Sequence, residues 1–404
     1  MKSHPYADPS LRGPALERER QHKMAASAHA YVRGSTKRFY AWLDNLDRAA
    51  IPEGPPVWIC GDCHVGNLGP IASRDGALAI QIRDLDQTVI GNPAHDLVRL
   101  GLSLAMACRG SDLPGVITAH MIEHMMDGYE GAFAPEAEGE VMDESRAMPR
   151  PVKLVMRQAM GRSWQHLADE RIEGEAAKIP LGRRFWPLTG DERAAVDSLF
   201  EERELRSLLT RLRRHGEDAP VRVLDAAYWR KGCSSLGLLR VAALVSTGTG
   251  RHERHCLLDL KEAAAAAAPR AGAAAMPQDE AQRVVTGAQH LSPFLGSRMG
   301  AATLLGRSVF MRELLPQDLK LEIEHLNQAE ALEVAAFLAH VVGRGHARQM
   351  TPDERRSWLA ELHKNRSRTL DAPFWLWNSI VELVAAHEAA YLEHCRKYAL
   401  QDAA

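Results

Sequence analysis

Oxygen-bearing side chains cluster in two short segments near the amino end of the chain. The segment GDCHVGN supplies Asp62 and Asn67, with His64 between them, and the segment RDLDQ supplies Asp84 and Asp86. Each follows an apolar run typical of a strand, so both clusters lie where a strand passes into a loop. Magnesium takes oxygen ligands and usually shares its shell with substrate phosphates. The spacing therefore predicts phosphoryl transfer, with Asp62 as base for an acceptor hydroxyl and Asn67 and Asp84 as metal ligands.

Two other motifs predict different chemistry. CGDCH (60–64) contains the CxxCH pattern of haem attachment, which would require export and a second axial ligand. His120, Glu123 and His124 match an inverted zincin pattern, in which both histidines would share one face of a helix. The surrounding methionines and isoleucine favour a packing helix there. A zinc-dependent hydrolase stays open as an alternative.

A third carboxylate follows the second cluster. Asp96 lies at the start of the segment HDLVRLGLSLAMACRG (95–110), which predicts a helix with one apolar stripe. Its carboxylate could accept backbone N–H groups from a neighbouring loop and hold that loop rigid. A purely local role as a helix cap is the alternative.

The composition limits the classes of partner. The chain has 404 residues, 25% of them charged, and a formal net charge of −2. A chain of this length predicts two or three lobes. The near-neutral charge argues against nucleic acid or an anionic membrane as a general partner. Six scattered cysteines, no secretory segment and no run of about 18 apolar residues predict a cytoplasmic protein with reduced thiols.

The motifs resemble those of known phosphotransferases. GDCHVGNLG, IRDLDQT and GNPAHDLVRL look like the catalytic loop, metal-binding strand end and following helix of aminoglycoside and choline kinase-like enzymes. The whole chain is similar to the bacterial family called domain of unknown function 2252. The matching residues are Lys23-Met24, Arg33-Gly34, Gly61-Asp62-x-His64-x-x-Asn67, Asp84-Leu85-Asp86 and Lys261-Glu262-Ala263.

The resemblance implies a role for each matching residue. It makes Asp62 the catalytic base, with Asp86 beside the metal ligands and His64 and Asp96 organising the loop. Two residues depart from the patterns. Cys60 stands where the kinases usually have His, and Gln87 replaces an acid that is common in the bacterial family.

A kinase-like protein also needs a lobe that binds ATP. The loop KGCSSLG could cover phosphates through the backbone of Gly232, Ser234, Ser235 and Gly237. Lys261, at a strand end, would pair the α- and β-phosphates, and segment 309–316 would be the hinge beside adenine. Glu280 is the favoured acidic partner of Lys261. The adjacent Glu262 is the alternative, although on a strand it would point to the opposite face.

These segments stand in an unusual order, because the catalytic loop precedes the ATP lobe. The segment LAHVVGRGHARQ resembles the helix that normally runs into the catalytic loop, yet it lies near the carboxyl end. Circular permutation of a kinase-like fold explains this order, and it is tolerated where the old chain ends lie close together at the surface.

The sequence thus predicts an α+β, two-lobed, permuted kinase-like fold. The expected parts are 1–135 (catalytic loop and helices), 136–220 (helical insertion or linker), 221–316 (β-rich nucleotide lobe) and 317–404 (helices that complete the larger lobe). The expected function is ATP- and Mg²⁺-dependent transfer of a phosphoryl or nucleotidyl group to an unknown small-molecule or protein acceptor. A nucleotide-binding module without turnover is a further alternative, and the oligomeric state is left open.

Overall fold

The computed structural model has a mixed α+β architecture, as the sequence predicts. The structure describes residues 6, 8–47, 50–109, 113–134, 148–163, 178–233, 235–271, 275–321, 326–364 and 372–398. None of the helices within these ranges combines the length and the apolarity that a membrane crossing requires.

The largest sheet is antiparallel and has six strands in the spatial order β5-β6-β7-β8-β10-β9. Its strands are Phe185–Trp186 (β5), Val221–Trp229 (β6), Arg240–Thr247 (β7), Arg254–Glu262 (β8), Met299–Leu304 (β9) and Arg307–Leu314 (β10). β7 is buried along its whole length. Val241 and Val245 enter one apolar core and Leu244 enters the core on the opposite face. Successive side chains of β7 therefore point to opposite faces of the sheet, each of which is covered by its own core.

Two small ribbons bring the predicted catalytic segments together. Val57–Ile59 (β1) pairs antiparallel with Val89–Gly91 (β4). Leu68–Ala72 (β2) pairs antiparallel with Leu78–Ile82 (β3). Ile59 at the end of β1 lies opposite Val89 at the start of β4, and Leu68 at the start of β2 lies opposite Ile82 at the end of β3. Loop 60–67 and turn 83–88, which connect these two pairs, therefore lie side by side.

Helices form most of the remaining structure. They are Pro9–Ala25 (α1), Ala28–Gly34 (α2), Thr36–Asp44 (α3), Ala94–Arg109 (α4), Gly115–Gly131 (α5), Arg150–Met160 (α6), Gly190–Leu199 (α7), Arg203–Leu212 (α8), Glu280–Leu291 (α9), Pro293–Gly296 (α10), Gln328–Ala347 (α11), Pro352–His363 (α12) and Phe374–Tyr398 (α13). Capping boxes define several starts: Asn327 and Glu330 satisfy each other's backbone N–H groups at α11.

The two ends of the chain build one helical part. The Tyr391 hydroxyl of α13 donates to the Ala25 carbonyl at 3.2 Å. The Gln349 amide, just past α11, accepts the Trp58 N–H at 2.8 Å and donates to the Trp58 carbonyl at 3.0 Å. The segment after α11 therefore lies against β1, although about 290 positions separate them in the sequence.

Most elements predicted from periodicity are present. The helix expected for HDLVRLGLSLAMACRG is α4, and the strands expected before the two carboxylate segments are β1 and β3. The strands β2, β4, β5 and β9 were not predicted, and β5 lies within segment 136–220, which was expected to be a helical insertion or linker. They are short, and β2 contains Gly69 and Pro70, which weaken the strand pattern.

Close contact between α5 and α11 depends on glycine. A Cβ added at Gly128 would lie 2.0 Å from the Ala336 carbonyl oxygen, and one added at Gly343 would lie 2.8 Å from the Tyr129 carbonyl oxygen. Both contacts are with backbone atoms, which cannot move aside as the end of a flexible side chain can. The two helices therefore touch backbone to backbone in the helical core.

We expect Gly128→Ala to lower the free energy of unfolding by about 1–3 kcal/mol, because the added methyl forces α5 and α11 apart. Gly131→Ala on the same helix is the matched control, since its Cβ would meet nothing within 4 Å. Urea denaturation of both variants provides the measurement. Equal midpoints for the two variants would contradict the close packing.

Candidate active site

The predicted catalytic loop follows β1 and turns sharply at Gly61. This residue has φ +74°, and a Cβ there would lie 2.1 Å from the Gln87 carbonyl oxygen. Glycine is therefore required both by backbone conformation and by the close approach of turn 83–88. The loop ends in a short 3₁₀ helix, Val65–Asn67, that leads directly into β2.

Asp96 binds the backbone at the start of this loop. Its carboxylate accepts the Cys60 N–H at 2.7 Å and the Gly61 N–H at 3.0 Å, which are the contacts predicted for a rigid loop. It does not cap its own helix, because Asn92 Oδ1 accepts the Ala94 N–H instead. Asp96 is fully buried, so these hydrogen bonds replace its lost hydration.

A histidine from the far end of the chain completes the support. His346 Nε2 lies 3.2 Å from Asp96 Oδ2, and His346 Nδ1 lies 3.0 Å from the Tyr129 hydroxyl. His346 belongs to α11, within the segment that resembles the helix preceding a catalytic loop. The loop is thus held by residues from both ends of the sequence.

Asp62 is buried beside an arginine that the sequence motifs did not include. Arg99 Nε donates to Asp62 Oδ1 at 2.9 Å, and the Arg99 side chain also donates to the Val32 carbonyl at 2.6 Å. Burial raises the pKa of Asp62, and the Arg99 guanidinium opposes the rise. Arg99 lies one turn after Asp96 on α4, so this helix positions both the backbone at the start of the loop and the Asp62 side chain.

His64 lies near Asp62 but does not form a short hydrogen bond with it. Its Nε2 is 3.9 Å from Asp62 Oδ2. Burial lowers the pKa of His64, and the cations Arg33 and Arg99 lower it further. Both effects favour the neutral imidazole. Its Nδ1 is buried with no hydrogen-bond partner among the residues that the structure describes.

Lys261 crosses from the sheet to turn 83–88. Its Nζ lies 3.5 Å from Asp84 Oδ1 and forms a second ion pair with Asp86. Lys261 is only 3% exposed, whereas the Asp84 side chain is 51% exposed toward the cleft. The predicted phosphate-binding lysine and the two predicted metal-site aspartates therefore meet.

The two aspartates interact strongly. Burial raises the pKa of Asp86 to about 7, repulsion from Asp84 adds to the rise, and Lys261 opposes it. Partial desolvation by the surrounding protein would by itself raise the pKa of Asp84 as well. Its pKa is nevertheless lowered, because Lys261, a hydrogen bond with Asp86 and Arg312 stabilise the ionised form.

The expected pair between Lys261 and Glu280 does not form. Glu280 instead lies 3.1 Å from Arg270 and 2.6 Å from Arg283, at the start of α9. Arg283 is fully buried and donates to the Asp86 carbonyl at 3.0 Å. The two arginines neutralise Glu280, and Lys261 pairs with Asp84 and Asp86 instead. The alternative partner, Glu262, accepts the Leu239 N–H at 2.7 Å.

Asn67 lies at the loop end of the same cleft. Its side-chain amide donates to the Asp62 carbonyl at 2.9 Å, and its own carbonyl accepts the Arg83 N–H at 2.7 Å. Asn67 and Asp84 both line the cleft. Both residues predicted as metal ligands therefore line one cavity.

The predicted glycine- and serine-containing loop only partly reaches this cleft. Gly232 has φ +102° and lines the cleft, and its carbonyl accepts a hydrogen bond from Lys23 Nζ at 3.1 Å. Ser235 is buried, and Gly237 has φ +101°, but neither lines the cavity. Ser234 lies outside the described residues.

The cleft between the sheet and the helical part has a volume of about 700 Å³. Sheet register explains part of its wall. Arg240 and Phe310 lie directly opposite Lys261 on the two neighbouring strands, so the three side chains share one face. Arg312 lies opposite Asp259 in the next row of that face. The sequence motifs had identified Lys261 in this row and had missed Arg240.

The other metal-binding and haem-like patterns gain no support. His120 Nδ1 contacts Glu123 Oε2 at 2.9 Å on the exposed face of α5. In the part of the chain that the structure describes, no group of three or more His, Cys, Asp or Glu side chains could hold a metal ion. Cys60 and Cys63 are free, buried thiols.

The chain belongs to the family described as "Uncharacterized protein conserved in bacteria (DUF2252)", whose match extends over residues 12–397. This confirms the bacterial family predicted from the sequence. Searches among curated proteins and solved structures found no match.

We expect Asp96→Asn to destabilise the protein by about 1–3 kcal/mol, because an amide N–H₂ would face the buried N–H donors of the catalytic loop. Asp75→Asn is the matched control. Asp75 is exposed, and its ion pair with exposed Arg214 is of the kind that contributes at most about 1 kcal/mol. Thermal denaturation compares the variants. An unchanged melting temperature for Asp96→Asn would contradict the supporting role.

Proposed function

We propose that this protein is an ATP- and Mg²⁺-dependent phosphotransferase that acts on a hydroxyl group, with a circularly permuted kinase-like fold. The observation that carries the proposal is the meeting of Lys261 with Asp84 and Asp86 across a cleft. Phosphoryl transfer by kinases uses a strand lysine for the nucleotide phosphates beside an aspartate that binds the metal.

The topology around Lys261 supports a nucleotide-binding lobe. Lys261 lies on β8, the third of three consecutive long antiparallel strands, and the next regular helix is α9. In protein kinases the phosphate-binding lysine lies on the third strand, and a helix provides its acidic partner. Here α9 is joined to turn 83–88 through Arg283 rather than to Lys261 through Glu280.

Contacts between the chain ends support the permutation. The Gln349 side chain, at the end of α11, pairs with both backbone groups of Trp58 in β1. A short connection between these two points would place α11 directly before the catalytic loop, the order found in the kinases that the motifs resemble. In this chain the nucleotide-binding lobe lies between those points instead.

The cleft suits a nucleotide in size and charge. A volume of about 700 Å³ lies within the usual range of small-molecule sites. Arg240 and Lys261 would bind phosphate oxygens, and Phe310 and Met299 offer apolar surface for a base. With the base beside Phe310, segment 309–316 would form the hinge next to adenine.

The donor set fits magnesium. Asp84 and Asp86 supply carboxylate oxygens and Asn67 supplies an amide oxygen, which are the ligand types that this ion takes. Asp86 Oδ1 is buried with no hydrogen-bond partner among the described residues, so an acceptor is left unused beside Lys261. When bound, the ion would neutralise the charge of the β- and γ-phosphates.

Asp62 would act on the acceptor. The acceptor oxygen forms a bond to the γ-phosphorus while the bond from that phosphorus to the β,γ-bridging oxygen breaks. The hydroxyl proton passes to the Asp62 carboxylate, and ADP leaves with the electron pair of the broken bond. Because burial raises the pKa of Asp62, it accepts a proton more readily than an exposed aspartate does. Arg99 fixes its orientation.

One observation favours a second candidate function, a regulatory module that binds nucleotide without turnover. Lys261 pairs with Asp84 and Asp86 rather than with Glu280, the acid predicted for it on α9. Active protein kinases require the pair between the strand lysine and the helix glutamate. The two candidates share a nucleotide site and differ in the role of Asp62.

We expect ATP with Mg²⁺ to raise the melting temperature, because a ligand at one hundred times its Kd stabilises the native state by about 2.7 kcal/mol. Asp84→Asn and Lys261→Met should lose this shift. Asp75→Asn and Lys364→Met, both at exposed positions, are the matched controls and should keep it. A shift that survives in both cleft variants would exclude the proposed site.

We expect Asp62→Asn to abolish ADP formation and to keep the thermal shift with Mg²⁺ and ATP, because Asp62 contacts the acceptor rather than the nucleotide. ADP release by wild type and variant is measured under the same conditions. Undiminished release in the variant would disprove the base role. Nucleotide binding without any ADP release by the wild type would favour the regulatory module.

A further inference from the structure

We infer that the acceptor is a small anion, a hydroxyl compound that carries a phosphate or carboxylate group, bound by a second basic subsite at the outer end of the cleft. The inference rests on the proposed function and names its substrate class. Eleven lysine and arginine side chains line the cleft against three carboxylates. A nucleotide with its metal ion balances only part of this excess.

The basic side chains on the sheet already have acidic partners. Arg240 Nε donates to Asp259 at 2.8 Å, and Arg312 Nε lies 3.6 Å from the same carboxylate. Lys261 is paired with Asp84. The nucleotide end of the cleft is therefore partly neutralised by the protein itself.

The outer end has fewer carboxylates. Lys23 and Arg230 share one acid, Glu19, each at 2.8 Å. Arg184 is adjacent, since its carbonyl accepts the Arg230 N–H at 2.9 Å. The exposed side chains of Arg183 and Arg184 have no ion pair or hydrogen bond with any other described residue. The excess positive charge is concentrated at this end.

Arg33 connects this basic group to the catalytic loop. Its Nε is buried with no hydrogen-bond partner in the described ranges, and it would lie 3.3 Å from a Cβ at Gly66. Gly66 lies between His64 and Asn67. A guanidinium binds phosphate or carboxylate through paired N–H groups. An anionic group on Arg33 would therefore hold an attached hydroxyl beside the loop that carries Asp62.

The test uses three small hydroxyl compounds of similar size: glycerol 3-phosphate, glycerate and glycerol. Each is titrated calorimetrically into the full chain saturated with Mg²⁺ and a non-hydrolysable ATP analogue. We expect binding of the phosphate compound, the carboxylate compound or both, and none of glycerol. Arg33→Gln should weaken anion binding about 10-fold, because it removes a charge-assisted contact. Arg184→Gln, at an exposed position, should weaken it also, and Arg356→Gln on α12 is the control.

The outcomes separate the two proposals. Equal binding of glycerol, or no binding of either anion, would overturn the anionic acceptor. So would a loss of nucleotide affinity in Arg33→Gln with unchanged anion affinity, since the basic side chains would then serve the nucleotide. Anion binding that depends on Arg33 in a protein that binds no nucleotide would support the subsite and reject the phosphotransferase.

Discussion

The relative position of the sheet and the catalytic segments depends on one buried charge. Lys261 is almost inaccessible to solvent, and an ammonium group can be buried only where opposite charges compensate its lost hydration. Asp84 and Asp86 provide that compensation from turn 83–88. Arg283 strengthens the same junction by donating to the carbonyls of Asp86 and Ala264. Electrostatic pairing thus defines the cleft in which a nucleotide could bind.

The loop that carries Asp62 is supported by contacts other than those of that junction. Asp96 binds two of its backbone N–H groups, and Arg99, one turn later on α4, binds Asp62. His346 adds a contact from the carboxyl-terminal helices. These buried contacts come from α4 and α11 and hold both the loop backbone and the Asp62 side chain. A rigid loop facing a charge-paired junction is the arrangement that positioned phosphoryl transfer requires.

The sequence predicted local features well where a single segment determined them. Strand exits with carboxylates, an acidic first turn of α4 and the lysine at the end of β8 could all be identified from residue types and spacing. Arg99 and Arg240 could not, because their partners lie 37 and 19 positions away and an arginine on a helix or strand has no distinctive pattern. Strand register, which the sequence does not reveal, decided that Arg240 faces the cleft.

The prediction that Glu280 pairs with Lys261 was wrong, which shows that resemblance to a family does not determine ion-pair partners. Its position at the start of a helix after the lysine strand suited an acidic partner, yet Arg270 and Arg283 lie closer to it than Lys261 does. The competing charges come from its own helix and from a preceding loop. Partner choice between ionic groups depends on distances that only the folded chain defines.

We propose that Lys261, Asp84 and Asn67 together bind a magnesium nucleotide. A crystal structure of the chain with Mg²⁺ and a non-hydrolysable ATP analogue tests this binding most directly. We predict phosphate oxygens within hydrogen-bond distance of Lys261 Nζ and a metal ion ligated by Asp84 and Asn67. A nucleotide bound elsewhere, with the ion pairs of Lys261 to Asp84 and Asp86 unchanged, would contradict the account.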